Sequence, residues 1–572
     1  MYKIGAKGIY KSLLHNNVKN VFMYSGGAIM SLIDLFKDNK INKIINNHEQ
    51  NCGHSATGYA KSSGRTGVCI VTSGPGLTNM VTPILDANND STPLIVFSGQ
   101  VSREAMGTLA FQECPAVDIT KSCTKWSYCA NKGDDLYELA NEAFIVSNTG
   151  KKGAVHIDLP KCILTGENGY NNNFNNNIKK RINFKSINYK KLHKIICKST
   201  NPVVYIGKGI NNYSKELKEF VEKYNLPITS TIHSMGTFDE NHKLSLGFLG
   251  MHGFPCANYA IQKSDLIIAL GSRFDDRTTG NIQKYAPLCK NIIYVNICKN
   301  EFGKVIKSTK ERKIYEIYND CGDFLSNINK IKINDKINRQ EWIDQINKWK
   351  KDYPIIYNTP RDNKLNTQMF IKILNKLIDH KNTIITSGVG NHQMMAAQFI
   401  TWTNPNQFIT SGSLGVMGTG LPYAIGAKIA NKDKIVIDID GDGSFNHTLG
   451  DLQTITRYNI PIKIFIMNDG HMSMVRAWEE LFFNKNYIAT SCAYNPDYCK
   501  LASSYGIESI KIDNILHIEE KINYVLQYEG PILCNVIVQP DLCLPLVAPG
   551  KALDDLILLN NNINKLEGEA PS

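Results

Sequence analysis

The stretch Val436-Ile-Asp-Ile-Asp-Gly-Asp-Gly-Ser-Phe445, followed by Ile464-Phe-Ile-Met-Asn-Asp-Gly-His471, decides the fold. Each part is an apolar run that ends in acidic residues, and a helical pattern from Thr448 to Tyr458 lies between them. A strand, a helix and a strand over about 30 residues form a right-handed βαβ unit, whose two strands end at the same edge of a parallel sheet. The sequence therefore predicts that Asp442 and Asp469 face one crevice.

Two kinds of metal site can be considered for these acidic residues. The segment from Asp438 to Gly443 matches the first half of a calcium-binding EF-hand loop. However, Leu449 stands where that loop needs a bidentate Glu, and a strand precedes the segment where a helix should. Magnesium bound by Asp442 and Asp469, with a diphosphate filling further positions, fits better because Mg²⁺ prefers a few protein oxygens together with phosphate.

Length and composition limit the class of protein. The chain has 572 residues, enough for three domains, and its 42% hydrophobic content is typical of a soluble globular protein. No stretch approaches 18 uncharged apolar residues, so we expect no membrane span. The first residues run directly into an amphipathic pattern without a secretory or transit-peptide pattern, and we therefore expect a cytoplasmic protein.

Charge and cysteine usage exclude two further classes. The net charge of +12 is small for this length, and its densest basic part, Lys179 to Lys198, lies beside the Asn-rich tract 171–177. We interpret this part as a solvated linker and expect no nucleic-acid partner, because no recognisable basic module is present. The 15 cysteines include no C-x-x-C pair, which favours reduced, mostly buried thiols over disulfides or a zinc site.

Apolar runs alternate with helical patterns along the chain and predict an α/β protein made of three doubly wound parallel-sheet domains. The predicted domains are 1–165, 190–330 and 366–550, with a helical connection at 331–365 and a C-terminal tail at 551–572. The predicted strands are short apolar runs that end in turns: 21–24, 43–45, 68–71, 94–97 and 155–157 in the first domain, 203–206 and 266–270 in the second, and 383–386, 436–439, 462–466 and 532–538 in the third.

Glu49 is the candidate catalytic residue of the first domain. It follows the strand that contains Ile44 and Ile45, and a carboxylate at the end of a parallel strand points into the ligand crevice of an open α/β sheet. Taken alone, it could equally be an ordinary acidic residue at a helix N-terminus. The loop Ser73-Gly-Pro-Gly76 also follows a strand and opens a helix, where glycines permit close approach to a ligand.

From residue 4 to about 557, these motifs and their order resemble the acetohydroxyacid synthase branch of the thiamin-diphosphate enzymes. The matching segments are Ser25-Gly-Gly-Ala28, His48-Glu-Gln50, Thr72-Ser-Gly-Pro-Gly76, Ala110-Phe-Gln-Glu113, Asp158-Leu-Pro-Lys161, Gly441-Asp-Gly443 and Asn468-Asp469. The resemblance implies three domains that bind, in order, the pyrimidine of the cofactor, FAD, and the diphosphate with Mg²⁺.

The resemblance also implies roles for individual residues. The catalytic set would be Glu49, which contacts the aminopyrimidine, with Gln112 and Lys161. Phe111, Arg277 and Trp478 would line the substrate channel, and Asp442, Asp469 and the backbone carbonyl of His471 would bind Mg²⁺. The residues implied to bind thiamin diphosphate are Gly26, Gly27, Pro75, Asn79, Gly390, Gln393, Gly415, Met417, Gly441, Ser444 and Met474.

The implied flavin site contains one departure from the family pattern. The residues implied to bind FAD are Gly207, Gly209, Gly250, Met251, His252, Arg273, Asp275, Arg277, Asn296 and Asp323. Where relatives commonly read Ile-Asp-Ile-Asp after a strand, this chain reads Val295-Asn-Ile-Cys298. Asn accepts a hydrogen bond from a ribose hydroxyl weakly and Cys hardly at all, which predicts weaker binding of FAD.

The implied reaction decarboxylates pyruvate and joins the remaining two-carbon unit to a second pyruvate or to 2-ketobutyrate. The products, 2-acetolactate and 2-aceto-2-hydroxybutyrate, belong to valine, leucine and isoleucine biosynthesis, and Trp478 matches a family residue associated with preferring 2-ketobutyrate. The alternatives are another thiamin-diphosphate 2-keto-acid decarboxylase, a flavin-free acetolactate synthase, and a catalytically silent relative.

The resemblance implies an assembly as well. In this family the first and third domains of different subunits complete each cofactor site, so we expect a homodimer or homotetramer, with a regulatory small subunit as a further candidate partner. Relatives usually have Asn where this chain has Asp469. Two carboxylates on the ion should bind Mg²⁺ more tightly and repel the diphosphate slightly.

Overall fold

The computed structural model describes residues 4–166, 184–304, 312–333 and 337–559. The Asn-rich tract 171–177 and the end of the C-terminal tail lie outside these residues. The basic segment Lys179 to Lys198 was predicted to be a solvated linker, which is wrong for its second half: residues Tyr189–Lys198 form a helix that buries Leu192 and Ile196. Within them the chain forms three parallel sheets of six strands each, with helices between the strands. The predicted α/β fold with three doubly wound sheets is confirmed.

The first sheet has the strand order β2-β1-β3-β4-β6-β5. Its strands are β1 Asn20–Met23, β2 Asn42–Ile45, β3 Gly67–Val71, β4 Leu94–Gln100, β5 Trp126–Cys129 and β6 Ala154–Pro160. The accompanying helices are α1 Ile4–His15, α2 Met30–Ile33, α3 Glu49–Ser63, α4 Pro75–Thr78, α5 Val81–Asn89, α6 Ala116–Thr120, α7 Leu136–Asn148 and α8 Lys161–Thr165.

The central sheet has the order β12-β11-β10-β7-β8-β9, the arrangement of dinucleotide-binding folds. Its strands are β7 Pro202–Ile206, β8 Ile228–Ser230, β9 Ser245–Phe248, β10 Leu266–Leu270, β11 Asn291–Asn296 and β12 Lys313–Tyr318. The helices of this part are α9 Tyr189–Lys198, α10 Ser214–Tyr224, α11 Pro255–Lys263, α12 Asp276–Thr279, α13 Cys321–Ile328 and α14 Gln340–Asp352.

The third sheet has the order β14-β13-β15-β16-β18-β17, which repeats the topology of the first. Its strands are β13 Thr383–Ser387, β14 Phe408–Ile409, β15 Ile435–Gly441, β16 Ile462–Asn468, β17 Glu508–Ile512 and β18 Ile532–Ile537. Its helices are α15 Thr367–Leu377, α16 Asn391–Phe399, α17 Gly420–Ala430, α18 Asp442–Phe445, α19 Leu452–Tyr458, α20 Ser473–Phe482, α21 Tyr498–Ser504 and α22 Ile518–Gln527. A small antiparallel pair, β19 Leu546–Val547 and β20 Leu556–Ile557, follows.

Central strands of the sheets are where the sequence predictions agree best with the structure. All five residues of β10 are buried, as expected for a parallel strand covered on both faces. The predicted strands did not include the edge strands β5, β9, β12, β14 and β17, nor the inner strands β8 and β11 of the central sheet. In β17, for example, only Ile512 is buried, so the strand lacks the continuous apolar run of a central strand. The predicted helical connection at 331–365 contains α14 followed by an irregular segment.

Close helix packing joins the first and third domains of the same chain. Helix α3 crosses α17 at two glycines: a Cβ on Gly58 would lie 2.5 Å from the carbonyl oxygen of Tyr423, and one on Gly426 would lie 1.9 Å from that of Ser55. Only glycine permits this backbone approach. The helix that begins at Glu49 is therefore fixed against the third domain.

No helix in the described part of the chain is long and apolar enough to cross a membrane. No disulfide bond links cysteines within the described residues.

Candidate active site

The two acidic residues of the opening stretch meet at the ends of neighbouring strands. Strands β15 and β16 pair in parallel with Gly441 opposite Met467, so Asp442 and Asp469 follow at the same edge of the sheet. Both residues line one cavity. The predicted βαβ unit and the shared crevice are confirmed.

Backbone and side-chain donors orient both carboxylates. Asp442 Oδ2 accepts hydrogen bonds from the backbone N–H of Gly470 (3.0 Å) and from Asn495 Nδ2 (2.5 Å). Asp469 accepts from the backbone N–H of His471 at 2.9 Å and from the hydroxyl of Ser473. Burial and the nearby charge of Asp469 raise the pKa of Asp442 to about 7, and burial raises the pKa of Asp469 as well. A cation between them would relieve this repulsion.

The same cavity collects most of the third-domain residues implied to bind thiamin diphosphate. Its lining includes Gly390, Met417, Gly441, Ser444, Met474 and the metal candidate His471. The loop after β13 and the loop after β15 therefore form the crevice between these neighbouring strands. A Cβ on Gly441 would lie 2.6 Å from Nδ1 of His392, so a larger residue would displace the imidazole ring.

These residues fit a magnesium diphosphate. Within the described residues, no group of three or more His, Cys, Asp or Glu side chains is placed to hold a metal ion. Asp442 and Asp469 therefore provide two hard oxygen ligands and leave the remaining positions to carbonyl, water or phosphate oxygens. Mg²⁺ prefers this arrangement.

Glu49 belongs to a separate half-site at the carboxyl edge of the first sheet. It is the first residue of α3, is only 9% exposed, and accepts a hydrogen bond at Oε2 from Asn79 Nδ2 at 2.9 Å. Asn79 follows the short helix α4, which begins at Pro75. A Cβ on Gly26, which follows β1, would lie 2.4 Å from the Thr72 side chain, so the loops after β1 and β3 are in close contact.

The other first-domain candidates lie at the same edge. Gln112 contacts the loop before α4, because a Cβ on Gly74 would lie 2.8 Å from the Gln112 carbonyl oxygen. Lys161 begins α8 directly after Pro160, which pairs with Gln100 at the end of β4. Phe111 is 89% exposed. All these residues follow strand ends, where ligands of open α/β sheets bind.

The cavity that contains Asp442 and Asp469 is not lined by Glu49, Gln112 or Lys161. The first sheet thus carries the carboxylate of Glu49, and the third sheet carries the pair Asp442 and Asp469.

A cavity of ≈ 970 Å³ lies at the carboxyl edge of the central sheet and extends to the third domain. From the residues implied to bind FAD, its lining includes Gly207, Gly209, Met251, His252, Arg273, Asp275, Arg277 and Asn296. Gly250 and Asp323 are not among them, whereas Asp320 and Cys321 are. Gln393, Gly415, Met474 and Trp478 line the end that faces the third domain.

The geometry of this cavity fits a dinucleotide. It opens beside β7 and β10, the first and fourth strands of the sheet, which is the switch point where such folds bind dinucleotides. A Cβ on Gly209 would lie 2.8 Å from the Cα of Gly271, so the backbone turns pack closely there. Asn296 donates to the Ser272 carbonyl at 2.7 Å and accepts from the Cys298 N–H at 2.9 Å. A carboxylate could not make the first of these bonds.

Three residues that contact the carboxylate pair or its cavity escaped the sequence analysis. Asn495 donates a hydrogen bond to Asp442, and Ser473 donates one to Asp469. His392 lines the cavity, and its Nε2 lies 3.3 Å from Asp440 Oδ1. Ser473 could have been found, because it lies four residues after Asp469. Asn495 could not, because the sequence around it indicates only a turn before proline.

Comparison with known protein families supports this arrangement. Three family models match the chain: "Thiamine pyrophosphate enzyme, N-terminal TPP binding domain" at residues 4–121, the central domain of the same enzymes at 189–328, and their C-terminal TPP binding domain at 388–536. Thiamine pyrophosphate is thiamin diphosphate. The three matches coincide with the three sheets and support thiamin diphosphate as cofactor, with the Mg²⁺ and FAD that are typical of this family.

Relatives that match nearly the whole chain identify the branch of this enzyme family. The mitochondrial acetolactate synthase catalytic subunit of Saccharomyces cerevisiae is 39% identical, over 99% of this chain and 85% of its own. The acetolactate synthase large subunit of Cyanidium caldarium is 37% identical, over 99% and 98%. The probable acetolactate synthase large subunit of Methanocaldococcus jannaschii is 36% identical, over 97% and 95%. The chain belongs to the acetolactate synthase family of thiamin-diphosphate enzymes.

Proposed function

We propose that this chain releases CO₂ from pyruvate and joins the remaining two-carbon unit to a second 2-keto acid, giving acetolactate from two pyruvates. The observation that carries the proposal is the oriented pair Asp442 and Asp469 at neighbouring strand ends, in a chain of this family. The family matches give no support to a simple decarboxylase. The product would enter the synthesis of branched-chain amino acids.

The third domain would hold the cofactor by its diphosphate. Asp442, Asp469 and the backbone carbonyl of His471 would bind Mg²⁺, and Ser444 and Gly390 would contact the phosphates in the same cavity. Thiamin diphosphate, once bound, supplies the carbon nucleophile and the electron sink that decarboxylation of a 2-keto acid requires. Met417, which lines the cavity, would contact the rings of the cofactor.

Glu49 would hold a proton against a ring nitrogen of the pyrimidine. Asn79 already donates to its Oε2, so Oε1 is the atom at which this proton would be shared. Burial at the start of α3 excludes water that would otherwise compete for the same hydrogen bond. A positioned carboxylate of this kind contributes about 10²- to 10⁴-fold to a rate.

Residues at the mouth of the central cavity would bind the keto acids. Trp478 lies there with Met251, Met474 and Arg277, and its ring makes an edge-to-face contact with Phe482 at 5.4 Å. Arg277 would attract the carboxylate of a keto acid. The apolar side chains would exclude water and accommodate the alkyl group of the second substrate, pyruvate or 2-ketobutyrate.

A product assay tests the reaction. Purified protein is incubated with thiamin diphosphate, Mg²⁺ and pyruvate, with and without 2-ketobutyrate. We expect acetolactate, and acetohydroxybutyrate when 2-ketobutyrate is present. Acetaldehyde as the main product, or binding of thiamin diphosphate without turnover, would contradict the proposal. A flavin absorbance spectrum of the same sample tests FAD retention beside Asn296 and Cys298.

We also propose that two copies of the chain complete each cofactor site. Large apolar side chains are exposed near both half-sites: Leu109 and Phe111 on the first domain, and Val475, Phe483 and Ile488 on the third. A monomer rarely exposes so many large apolar groups beside its functional residues, and a two-fold contact would bury them in pairs.

Complementation in trans tests this assembly. Chains carrying Glu49→Gln and chains carrying Asp442→Asn, each expected to have little activity at low Mg²⁺, are unfolded, mixed, refolded together and assayed at that low Mg²⁺ concentration. If each site uses one domain from each copy, mixed dimers contain one intact site. An equal mixture should regain about one quarter of wild-type activity. No regain, with mixed dimers detected by mass spectrometry, would place both half-sites in one chain.

Two finer points remain predictions. Relatives are named catalytic or large subunits, so we propose that a regulatory small subunit binds this chain, which copurification would test. A cytoplasmic location also stays a prediction, and the relatives do not decide it, because some are named mitochondrial or chloroplastic and others are not.

A further inference from the structure

The segment from Gly107 to Cys114, which follows β4, is under local backbone strain. Gln112, implied to act in the substrate site, has φ 62°, in the left-handed region that favours glycine. The neighbouring side chains Leu109 and Phe111 are exposed, so few packing contacts hold this segment in place. A strained residue persists only where its surroundings fix it.

Glu113 fixes the front of this segment. Its carboxylate accepts hydrogen bonds from two backbone N–H groups, Gly107 through Oε1 and Ala110 through Oε2 at 3.1 Å. Its own backbone N–H donates to the Ala110 carbonyl at 2.9 Å. Because both carboxylate oxygens are used, the side chain closes residues 107–113 into a compact loop. Hydrogen bonds to an ionised acceptor are stronger than neutral ones.

The back of the segment is fixed by the sheet. Gln100, the last residue of β4, donates from Nε2 to the Cys114 carbonyl at 2.9 Å and to Asp158 Oδ2 at 3.0 Å. Gly74 packs directly against the Gln112 backbone, as the 2.8 Å approach of a Cβ shows. Gln112 thus lies between a rigid anchor on the sheet and the Glu113 loop.

We propose that Glu113 is a positioning residue for Gln112 in the substrate site. Its carboxylate holds Gln112 in the left-handed conformation and turns Phe111 outward, toward the surface where the other half-site would dock. Without it the loop opens, and Gln112 relaxes to an ordinary backbone conformation. The inference rests on the proposed function, because it assigns Glu113 to the site that binds the keto acids.

Glu113→Gln tests the inference with little change in shape. An amide keeps one acceptor oxygen but presents an NH₂ donor to the other backbone N–H, so half of the clamp is lost. We expect KM for pyruvate to rise about tenfold, the effect of losing one hydrogen bond to a charged group, with kcat within about twofold of wild type. The product ratio between pyruvate and 2-ketobutyrate should also shift.

Hydrogen exchange and a matched control separate positioning from stability. Amide exchange at Gly107 and Ala110 should accelerate in Glu113→Gln, while the thermal midpoint and the oligomeric state stay unchanged. Glu104→Gln makes the same substitution nine positions earlier, at an exposed residue, and should leave KM, kcat and exchange unchanged.

Distinct results would overturn the inference. An unchanged KM in Glu113→Gln, or a fall in its kcat alone, would contradict it. The same rise in KM in Glu104→Gln would also contradict it. Dissociation of the Glu113→Gln dimer would assign Glu113 to assembly instead. If wild-type protein makes no acetolactate, the proposed function fails, but the exchange measurement still tests the clamp. Unchanged exchange at Gly107 and Ala110 would contradict the clamp whatever the reaction.

Discussion

The first and third domains share one topology but offer opposite electrostatics to a ligand. Renumbered within each sheet, both have the strand order 2-1-3-4-6-5. In the first domain the crevice carries one buried carboxylate, Glu49, paired with the neutral amide of Asn79. In the third it carries two carboxylates, Asp442 and Asp469, whose mutual repulsion a cation would relieve.

This difference shows that the fold determines where a ligand binds. Individual residues determine which part of the ligand binds there. A lone carboxylate beside a neutral amide suits a proton shared with a ring nitrogen. A carboxylate pair suits a metal ion and, through it, a diphosphate. The same sheet therefore serves two ends of one cofactor.

Glu49→Gln should have the largest effect. The amide keeps the hydrogen bond to a donor but cannot take part in proton sharing, so we expect kcat to fall about 10²- to 10⁴-fold, and added Mg²⁺ should not restore it. The acetolactate assay at saturating cofactor measures this. Glu138→Gln, at an exposed acidic residue in the first turn of α7, is the matched control and should be fully active.

Asp442→Asn should separate the metal half-site from the pyrimidine half-site. Loss of one charged ligand should raise the Mg²⁺ concentration for half-maximal activity on the order of 10- to 100-fold, the range found when partners of metal ligands are removed. High Mg²⁺ should then restore part of the activity, in contrast to Glu49→Gln. If Mg²⁺ rescues neither variant or both, the assignment of the two half-sites is wrong.

Two buried carboxylates at the junctions of the central domain with its neighbours also differ, because one is paired with basic side chains and the other is not. Asp90 of the first domain is paired with Lys61 at 2.7 Å and His233 at 3.0 Å. Although burial opposes it, the interactions with His233 and Lys61 hold the pKa of Asp90 well below its usual range. Glu240 accepts only the Trp402 N–H of the third domain, at 3.0 Å, and its Oε1 has no hydrogen-bond partner within the described residues. Burial raises its pKa from 4.5 to about 8.

Glu240→Gln should therefore stabilise the protein in a pH-dependent manner. As pH rises above 4.5 the unfolded chain loses the Glu240 proton while the folded chain keeps it, so wild-type stability falls up to about pH 8. Glutamine does not ionise, and we expect a gain of roughly 4 kcal/mol at pH 8 that shrinks to about 1 kcal/mol near pH 5. Thermal midpoints at the two pH values measure it. An equal gain at both would show that ionisation of Glu240 is not the cause.

Asp469→Asn should have the smallest effect. It introduces the amide that the family resemblance implies at this position and removes the repulsion within the pair, so activity should persist while the Mg²⁺ requirement rises about fivefold, equivalent to about 1 kcal/mol. A Mg²⁺ titration of activity measures this, with Ser473→Ala as the control that removes only the hydroxyl contact. A dead Asp469→Asn variant would assign Asp469 a role beyond metal binding.

Much of the fold and the placement of the acidic residues followed from the sequence alone. Continuous apolar runs indicated the central strands, because a parallel strand is buried on both faces. The spacing from β15 through a short helical crossover to β16 permits essentially only a right-handed connection, which places Asp442 and Asp469 at one edge. The position of Glu49 after β2 followed for the same reason.

Tertiary structure alone decided which residues hold these groups and how the domains meet. The bond from Asn495 to Asp442 and the contact of Glu240 with Trp402 join residues far apart in the chain, and no local pattern encodes such contacts. Edge strands such as β17 were not predicted from the sequence, because a half-exposed strand lacks a continuous apolar run. The sequence determined which chemical groups stand at the strand ends. Packing decided their neighbours, because charge, burial and strain depend on atoms that only folding brings together.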